Sequence, residues 1–359
     1  MTREIQHFID GKAFKGKSGQ FGDIFNPNTG EVQARVQFAT RDEVADAVAG
    51  AKKGQAIWAA MNPQRRARVL MKYKMMVEDQ MEELAHLLSS EHGKVIADAK
   101  GDLIRGLEVI EFACGVPHLM KGEYTESAGP GIDVYSMRQP LGVVAGITPF
   151  NFPAMIPMWF MGMALSTGNA MILKPSEKDP SVPVRLAEIM IEAGLPEGVL
   201  QVVHGDKTAV DALIEHDDIK AVSFVGSSNI AHYIAQGCTR HAKRFQAMGG
   251  AKNHGIIMPD ADMDQVVNDF LGAAYGSAGE RCMNSSRASR RKPSICALVS
   301  RPTTPPTTVP LSPQHTARRS KTISRWVSMK APSSCSTVGA SNCRAMRRAS
   351  SSARPCSTM

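Results

Sequence analysis

The stretch from Ser285 to Met359 contains no aspartate and no glutamate, although it carries 14 lysines and arginines. That leaves 28 of the 42 basic residues in residues 1–284, against all 34 acidic ones. A mildly acidic body therefore carries a strongly basic tail, and the formal net charge of +8 describes neither. The tail also lacks apolar periodicity and, Trp326 apart, aromatic residues. Such a composition buries too little apolar surface to offset the entropy of ordering the chain, so disorder is expected over residues 285–359. Basic charge can hold phosphate, but without interleaved aromatics there is no stacking surface, and nucleic acid is not expected as a partner. No apolar run is long enough to span a membrane: the stretch from Ala154 to Leu165 is short and is broken by Pro157. The N-terminus has neither an apolar signal core nor an Arg-rich presequence. The body holds three well-separated cysteines, Cys114, Cys238 and Cys282, which argues against a disulfide scaffold and for a reducing compartment. A cytoplasmic location is expected, and no metal is.

The body is long enough for two cores. Residues 1–40 read as short strands and turns, with turn chemistry at Asp10-Gly11 and at Asn26 to Gly30. From Thr40 the period becomes helical: Val44, Ala47, Val48, Ala51, Ile57 and Trp58 fit one amphipathic face. A second helical block is expected from Pro63 to Glu91, ended by Gly93, and a third from about Ile96 to Ala113. The methionines here are expected to fill core gaps. Residues 121–141 suit a hairpin or projecting ribbon turning at Gly129-Pro130-Gly131. Then strands and helices alternate. β-runs at 142–147, 170–173, 199–203 and 221–225 are each followed by a helical segment, the pattern of a parallel sheet covered on both faces. Such sheets bind ligands outside the carboxyl ends of their strands.

No Gly-x-Gly-x-x-Gly follows the first of these strands, so the usual dinucleotide fingerprint fails. Instead the first strand ends in Thr148-Pro149-Phe150-Asn151, the second in Lys174-Pro175-Ser176-Glu177, and the fourth in Gly226-Ser227-Ser228 opening a helix. Further on, Cys282 sits among small residues directly after Arg281. Small neighbours let a carbonyl approach the sulfur, and positive charge favours the nucleophilic thiolate. A buried cysteine packed as a small hydrophobe is the bland alternative.

Together these motifs resemble the aldehyde dehydrogenase superfamily and, within it, the CoA-acylating subfamily that acts on methylmalonate semialdehyde. The resemblance covers about residues 5–284. It implies an α/β fold with a parallel-sheet NAD-binding domain (1–120 and 142–247), an oligomerisation ribbon (121–141) and the start of a catalytic domain (248–284). It implies that Cys282 attacks the aldehyde and that Asn151 helps hold the oxyanion. Thr148, Pro149, Phe150, Lys174, Glu177, Gly226 and Ser227 are implied to bind NAD. Lys174 and Glu177 would hold the adenosine ribose, and a carboxylate there favours NAD over NADP. Arg105 and Arg281 are the implied carboxylate pair for the semialdehyde, arginine being suited to a forked grip. Hydrolytic members carry a glutamate that activates water; its position here is Met248, which suits acyl transfer to coenzyme A. A hydrolytic semialdehyde dehydrogenase and a non-catalytic truncated product are the alternatives. The intact family form is a tetramer.

The resemblance stops after about Met283. The family's Glu-x-Phe-Gly-Pro run and C-terminal pairing strand are absent. Lys330-Ala331-Pro332-Ser333-Ser334 and the Ser-Thr-Val after Cys335 are what GC-rich codons for a typical family run would give one base out of frame. The tail is thus expected to be a shifted reading frame, and this chain to be inactive as written.

Overall fold

The computed structural model describes residues 3–251 and 255–275. Among them a large body comprises residues 3–258 with 269–275, and a short second unit comprises 259–268. Residues 252–254, Arg281, Cys282 and the whole basic tail lie outside the described residues.

The N-terminal strands are β1 (Arg3–Ile5), β2 (His7–Ile9), β3 (Lys12–Phe14), β4 (Phe21–Phe25) and β5 (Val32–Gln37). β2 and β3 form a two-residue hairpin in which Asp10 and Gly11 both take positive φ, 49° and 75°, the conformation that matches strand twist. Helices follow: α1 (Arg41–Ala60), α2 (Pro63–Asp79), α3 (Met81–His92), α4 (Ile96–Cys114) and the short α5 (Val116–Leu119). Thr40 and Glu43 cap α1 reciprocally. Asn62 caps α2, with Pro63 in its first turn, where a missing N–H costs nothing. Gly93 ends α3 in the left-handed region at φ 83°.

Three expectations need correction here. The block from Pro63 to Glu91 is two helices broken at Gln80, whose φ of −99° and ψ of 15° leave the helical region, although both helices pack against α4 and α7 (Ser181–Glu192). Ile57 is exposed, while Trp58 beside it is fully buried and donates its indole N–H to the Leu165 carbonyl at 2.8 Å. Met76 and Met81 pack against the core, but Met71 and Met75 face solvent.

The hairpin β6 (Tyr124–Gly129) and β7 (Ile132–Tyr135) pairs only with itself among the described residues, and β7 is exposed along its length. The alternating half then supplies β8 (Val143–Ile147), α6 (Met155–Ser166), β9 (Ala170–Lys174), α7, β10 (Leu200–Val202), α8 (Lys207–Glu215), β11 (Ile219–Val225), α9 (Ser228–Arg240) and β12 (Arg244–Met248). The last helix is α10 (Met263–Tyr275).

The sheet order is β12-β11-β8-β9-β10-β2-β3, with the five strands from β12 to β10 mutually parallel and the β2–β3 hairpin added antiparallel. β8 lies in the middle; the chain winds outward from it to β9 and β10, then crosses back to β11 and β12. That makes the gap between β8 and β11 a topological switch point, where connections leave in opposite directions and open a crevice. α6 and α7, backed by α2, α3 and α4, cover one face, and α1, α8 and α9 cover the other. Central strand β9 is buried at every residue and α6 is apolar on nearly all sides, as a helix between sheet and helix layer must be.

Candidate cofactor and active site

Strand register aligns the carboxyl ends. Ile147 pairs with Lys174, Phe224 with Ile147, and Val225 with Met248. The Thr148 N–H donates to the Lys174 carbonyl at 3.1 Å, and the Gly226 N–H to the Met248 carbonyl at 3.0 Å. The four segments singled out in the sequence, 148–151, 174–177, 226–228 and Met248, therefore share one edge of one sheet. Met248 ends β12, a strand that sequence patterning missed; Arg244, Phe245 and Gln246 face solvent, so the run carries no apolar alternation to read.

Four helices begin at this edge, and what meets each N-terminus differs. Unpaired N–H groups there attract anions, so a helix start is either capped or available. The start of α6 is closed by Asp102 of α4, whose carboxylate accepts from the Met155 N–H at 2.7 Å. Asp102 also pairs with Lys94 at 2.7 Å, both side chains essentially inaccessible to water. Burial pushes the Asp102 carboxyl up, and Lys94 and the backbone N–H groups pull it back. The start of α7 is closed by Glu91 of α3, which accepts from the Ser181 N–H at 3.0 Å and the Ser181 hydroxyl at 2.5 Å and is reached by Arg3 at 2.7 Å. α8 is capped by the Asp206 side chain. α9 alone of the four has no side-chain cap among the described residues; Ser227 stands at its head, extended and exposed. Gly249 lies so close that a Cβ there would stand 3.0 Å from the Ser228 Cα, and the Gly250 N–H donates to the Ser228 hydroxyl at 3.1 Å.

Beside this open end, the Thr148 hydroxyl is buried with no partner among the described residues. Lys174 is buried with its ammonium 3.3 Å from the Glu177 carboxylate, which itself remains in reach of solvent. The Lys178 ammonium sits 4.5 Å over the Phe150 ring, tying the loop after β8 to the loop after β9. Asn151 is half-buried on the loop between β8 and α6. Arg105 is exposed on α4, across from α6, and its carbonyl accepts from the Trp159 indole N–H at 3.4 Å. Sequence reasoning missed Asp102, Lys94 and Glu91. For Asp102 and Glu91 the signal was a charged residue in a helix otherwise patterned for the core, and for Lys94 a charge on the turn between α3 and α4; neither can be told from a solvated one without knowing what packs on it.

The aldehyde dehydrogenase family pattern matches residues 14–301 of this chain. The chain belongs to the aldehyde dehydrogenase family. It is 50% identical over 284 residues to the malonate-semialdehyde dehydrogenase of Pseudomonas aeruginosa, covering 79% of this chain and 57% of that protein. It is 46% identical to the human mitochondrial methylmalonate-semialdehyde/malonate-semialdehyde dehydrogenase [acylating], again over 284 residues, covering 79% and 53%. Among solved structures it resembles a protein of Sinorhizobium meliloti, taken for a methylmalonate-semialdehyde dehydrogenase and complexed with NAD, at TM-score 0.77 and 59% identity, covering 83% of this chain and 62% of that one. The methylmalonate-semialdehyde dehydrogenase of Oceanimonas doudoroffii matches at TM-score 0.75 and 50% identity, covering 77% and 57%. The chain thus spans somewhat over half the length of the relatives it matches. Among the described residues no helix is long and apolar enough to cross a membrane, and no group of three or more His, Cys, Asp or Glu could hold a metal ion.

Proposed function

We propose that this chain carries the cofactor half of an NAD-dependent, CoA-acylating semialdehyde dehydrogenase. The intact enzyme oxidises malonate or methylmalonate semialdehyde and yields acetyl-CoA or propionyl-CoA, with loss of the carboxylate. The observation that carries the reading is the uncapped start of α9 at the sheet's switch point, on the same sheet edge as the solvent-facing Glu177 carboxylate. Three residue groups fit NAD there. Gly226 and Ser227 would lend backbone N–H groups to the pyrophosphate. Lys174 and Glu177 would hold the adenosine ribose, Glu177 repelling a 2′-phosphate. Thr148, Pro149 and Phe150 would line the approach, the unpartnered Thr148 hydroxyl being a ready donor. The chemistry that bound NAD supplies is acceptance of a hydride.

The chain's own residues do the rest. Cys282 attacks the aldehyde carbon, and the Asn151 amide donates to the oxyanion that forms, which lowers the barrier by about 3–4 kcal/mol where such a donor is well aimed. Arg105 and Arg281 grip the substrate carboxylate. With Met248 where hydrolytic members place a glutamate, no carboxylate activates water against the thioester, and the thiol of coenzyme A needs no such help. Loss of the β-carboxylate then leaves an enolate stabilised by the thioester carbonyl. The hairpin β6–β7 would pair subunits in a tetramer. Residues 285–359 do not supply the rest of the catalytic domain, so the chain as it stands is inactive.

The test is a gene product in which the family's reading frame is restored after codon 284. It should reduce NAD with malonate semialdehyde only when CoA is present and release acyl-CoA. CoA-independent turnover to the free acid would replace this reading with the hydrolytic one. The chain as written should show no turnover; reduction of NAD at a comparable rate would overturn its assignment as inactive.

A further inference from the structure

Resting on that reading, the contact network that closes the start of α6 bears on substrate choice. Arg105 stands on α4 between two residues that lock this helix to α6. Three positions before it, Asp102 accepts from the Met155 N–H while paired with buried Lys94. One position after it, Gly106 meets α6 so closely that a Cβ would lie 2.2 Å from the Met158 Cε and 3.2 Å from the Met155 Cα. Arg105 itself offers its carbonyl to Trp159, one turn further along α6. The loop that ends at Met155 holds Asn151 and Phe152, and the Lys94 ammonium sits 4.2 Å over the Phe152 ring. One buried ion pair therefore touches both ends of the arrangement: through Asp102 the helix that carries the carboxylate grip, through Lys94 and Met155 the loop that carries the oxyanion donor. Packed interiors transmit such constraints because they neither stretch nor compress freely.

We propose that the Lys94–Asp102 pair and the Gly106 contact act as a ruler, fixing the spacing between Arg105 and Asn151 and so the chain length of semialdehyde that can be held at both ends. Lys94, Asp102 and Gly106 are positioning residues; none needs to touch substrate. On this proposal the ruler is set for an aldehyde and a carboxylate separated by one carbon, and a semialdehyde one carbon longer would misplace its carbonyl when its carboxylate is gripped.

The test compares three aldehydes with the frame-restored enzyme: malonate semialdehyde, succinate semialdehyde and propanal, which has no carboxylate to grip. In Asp102→Asn, which keeps an acceptor for Met155 but removes the charge facing Lys94, and in Gly106→Ala, which pushes α4 off α6 without changing charge, kcat/KM for malonate semialdehyde should fall about tenfold or more relative to propanal. The ratio of succinate to malonate semialdehyde should rise. NAD binding, measured by titration on the chain as it stands, should persist in both variants, since neither substitution touches Gly226, Ser227, Lys174 or Glu177. If Asp102→Asn fails to bind NAD it is misfolded, and Gly106→Ala decides alone. An equal fall for all three aldehydes would overturn the ruler. Arg105→Leu separates the two levels. If it leaves the preference for carboxylated aldehydes intact, the substrate reading itself is wrong; if it abolishes that preference while the ruler variants keep it, only the ruler fails.

Discussion

The starts of α6 and α9 lie at the same edge of the same sheet and meet opposite fates. α6 begins on a buried carboxylate, Asp102, that is itself locked to Lys94. α9 begins at Ser227 with no side-chain cap among the described residues. The same helix-end electrostatics are met by a buried carboxylate in one case and by no side chain among the described residues in the other. In many doubly wound folds the first crossover helix receives the phosphates. Here that helix is closed, which accounts for the missing Gly-x-Gly-x-x-Gly after β8: with a carboxylate already on the amides, a glycine turn there would serve no anion.

The largest effect should come from breaking the closed end. Asp102→Ala leaves Lys94 buried without its partner and should cost about 3–5 kcal/mol, read as a lowered midpoint in urea unfolding of the chain. A loss below 1 kcal/mol would mean that water reaches the pair. Acid acts on a separate buried pair, beside β2 and β10. His7 and His204 stack with ring centroids 5.6 Å apart, and burial holds their pKa values down to about 4 and about 3. Both are neutral when folded, whereas the unfolded chain takes up protons near pH 6.5. Their contribution to stability is therefore complete above that pH and is lost as pH falls from about 6.5 toward 4 and 3, at up to about 1.4 kcal/mol per pH unit for each group. His204→Gln should flatten the slope of stability against pH in that window; an unchanged slope would mean that the ring is already hydrated.

The open end can be closed on purpose. Ser227→Asp places a carboxylate at the head of α9. It should raise stability by about 0.5–1 kcal/mol and weaken NAD binding about tenfold or more, the two changes moving in opposite directions. Calorimetric titration showing unaltered NAD affinity would place the pyrophosphate elsewhere. The smallest effect is expected at Glu177. Glu177→Gln keeps size and removes charge, so the preference for NAD over NADP should fall by about 1 kcal/mol, or roughly fivefold in relative Kd; no change would remove Glu177 from the ribose contact.

Much of this was legible in residue order. The alternation from residue 142 onward predicted the parallel sheet, because strands buried on both faces read as apolar runs and their covering helices as amphipathic ones. Thr148 to Asn151, Lys174, Glu177, Gly226 and Ser227 were marked by falling where strands end. β12 was not, since Arg244, Phe245 and Gln246 lie at the sheet's edge and carry polar and apolar residues without period. The break at Gln80 was invisible too, because both halves of the block have good helix formers and no Gly or Pro marks the join.

What the sequence determined by itself is local: most of the helices and strands, and where many of them begin. These follow from propensity, capping and side-chain chemistry within a few residues. What only the tertiary structure decided is pairing at long range. The Asp10 N–H finds Gln201 across 191 positions at 2.7 Å, placing the N-terminal hairpin beside β10, and Glu91 finds Ser181 across 90. Asp102 lies 53 positions from the amide it caps. Such contacts depend on how closed layers fit together, and no local pattern encodes them. Which helix start stays open at the switch point is settled by those layers alone.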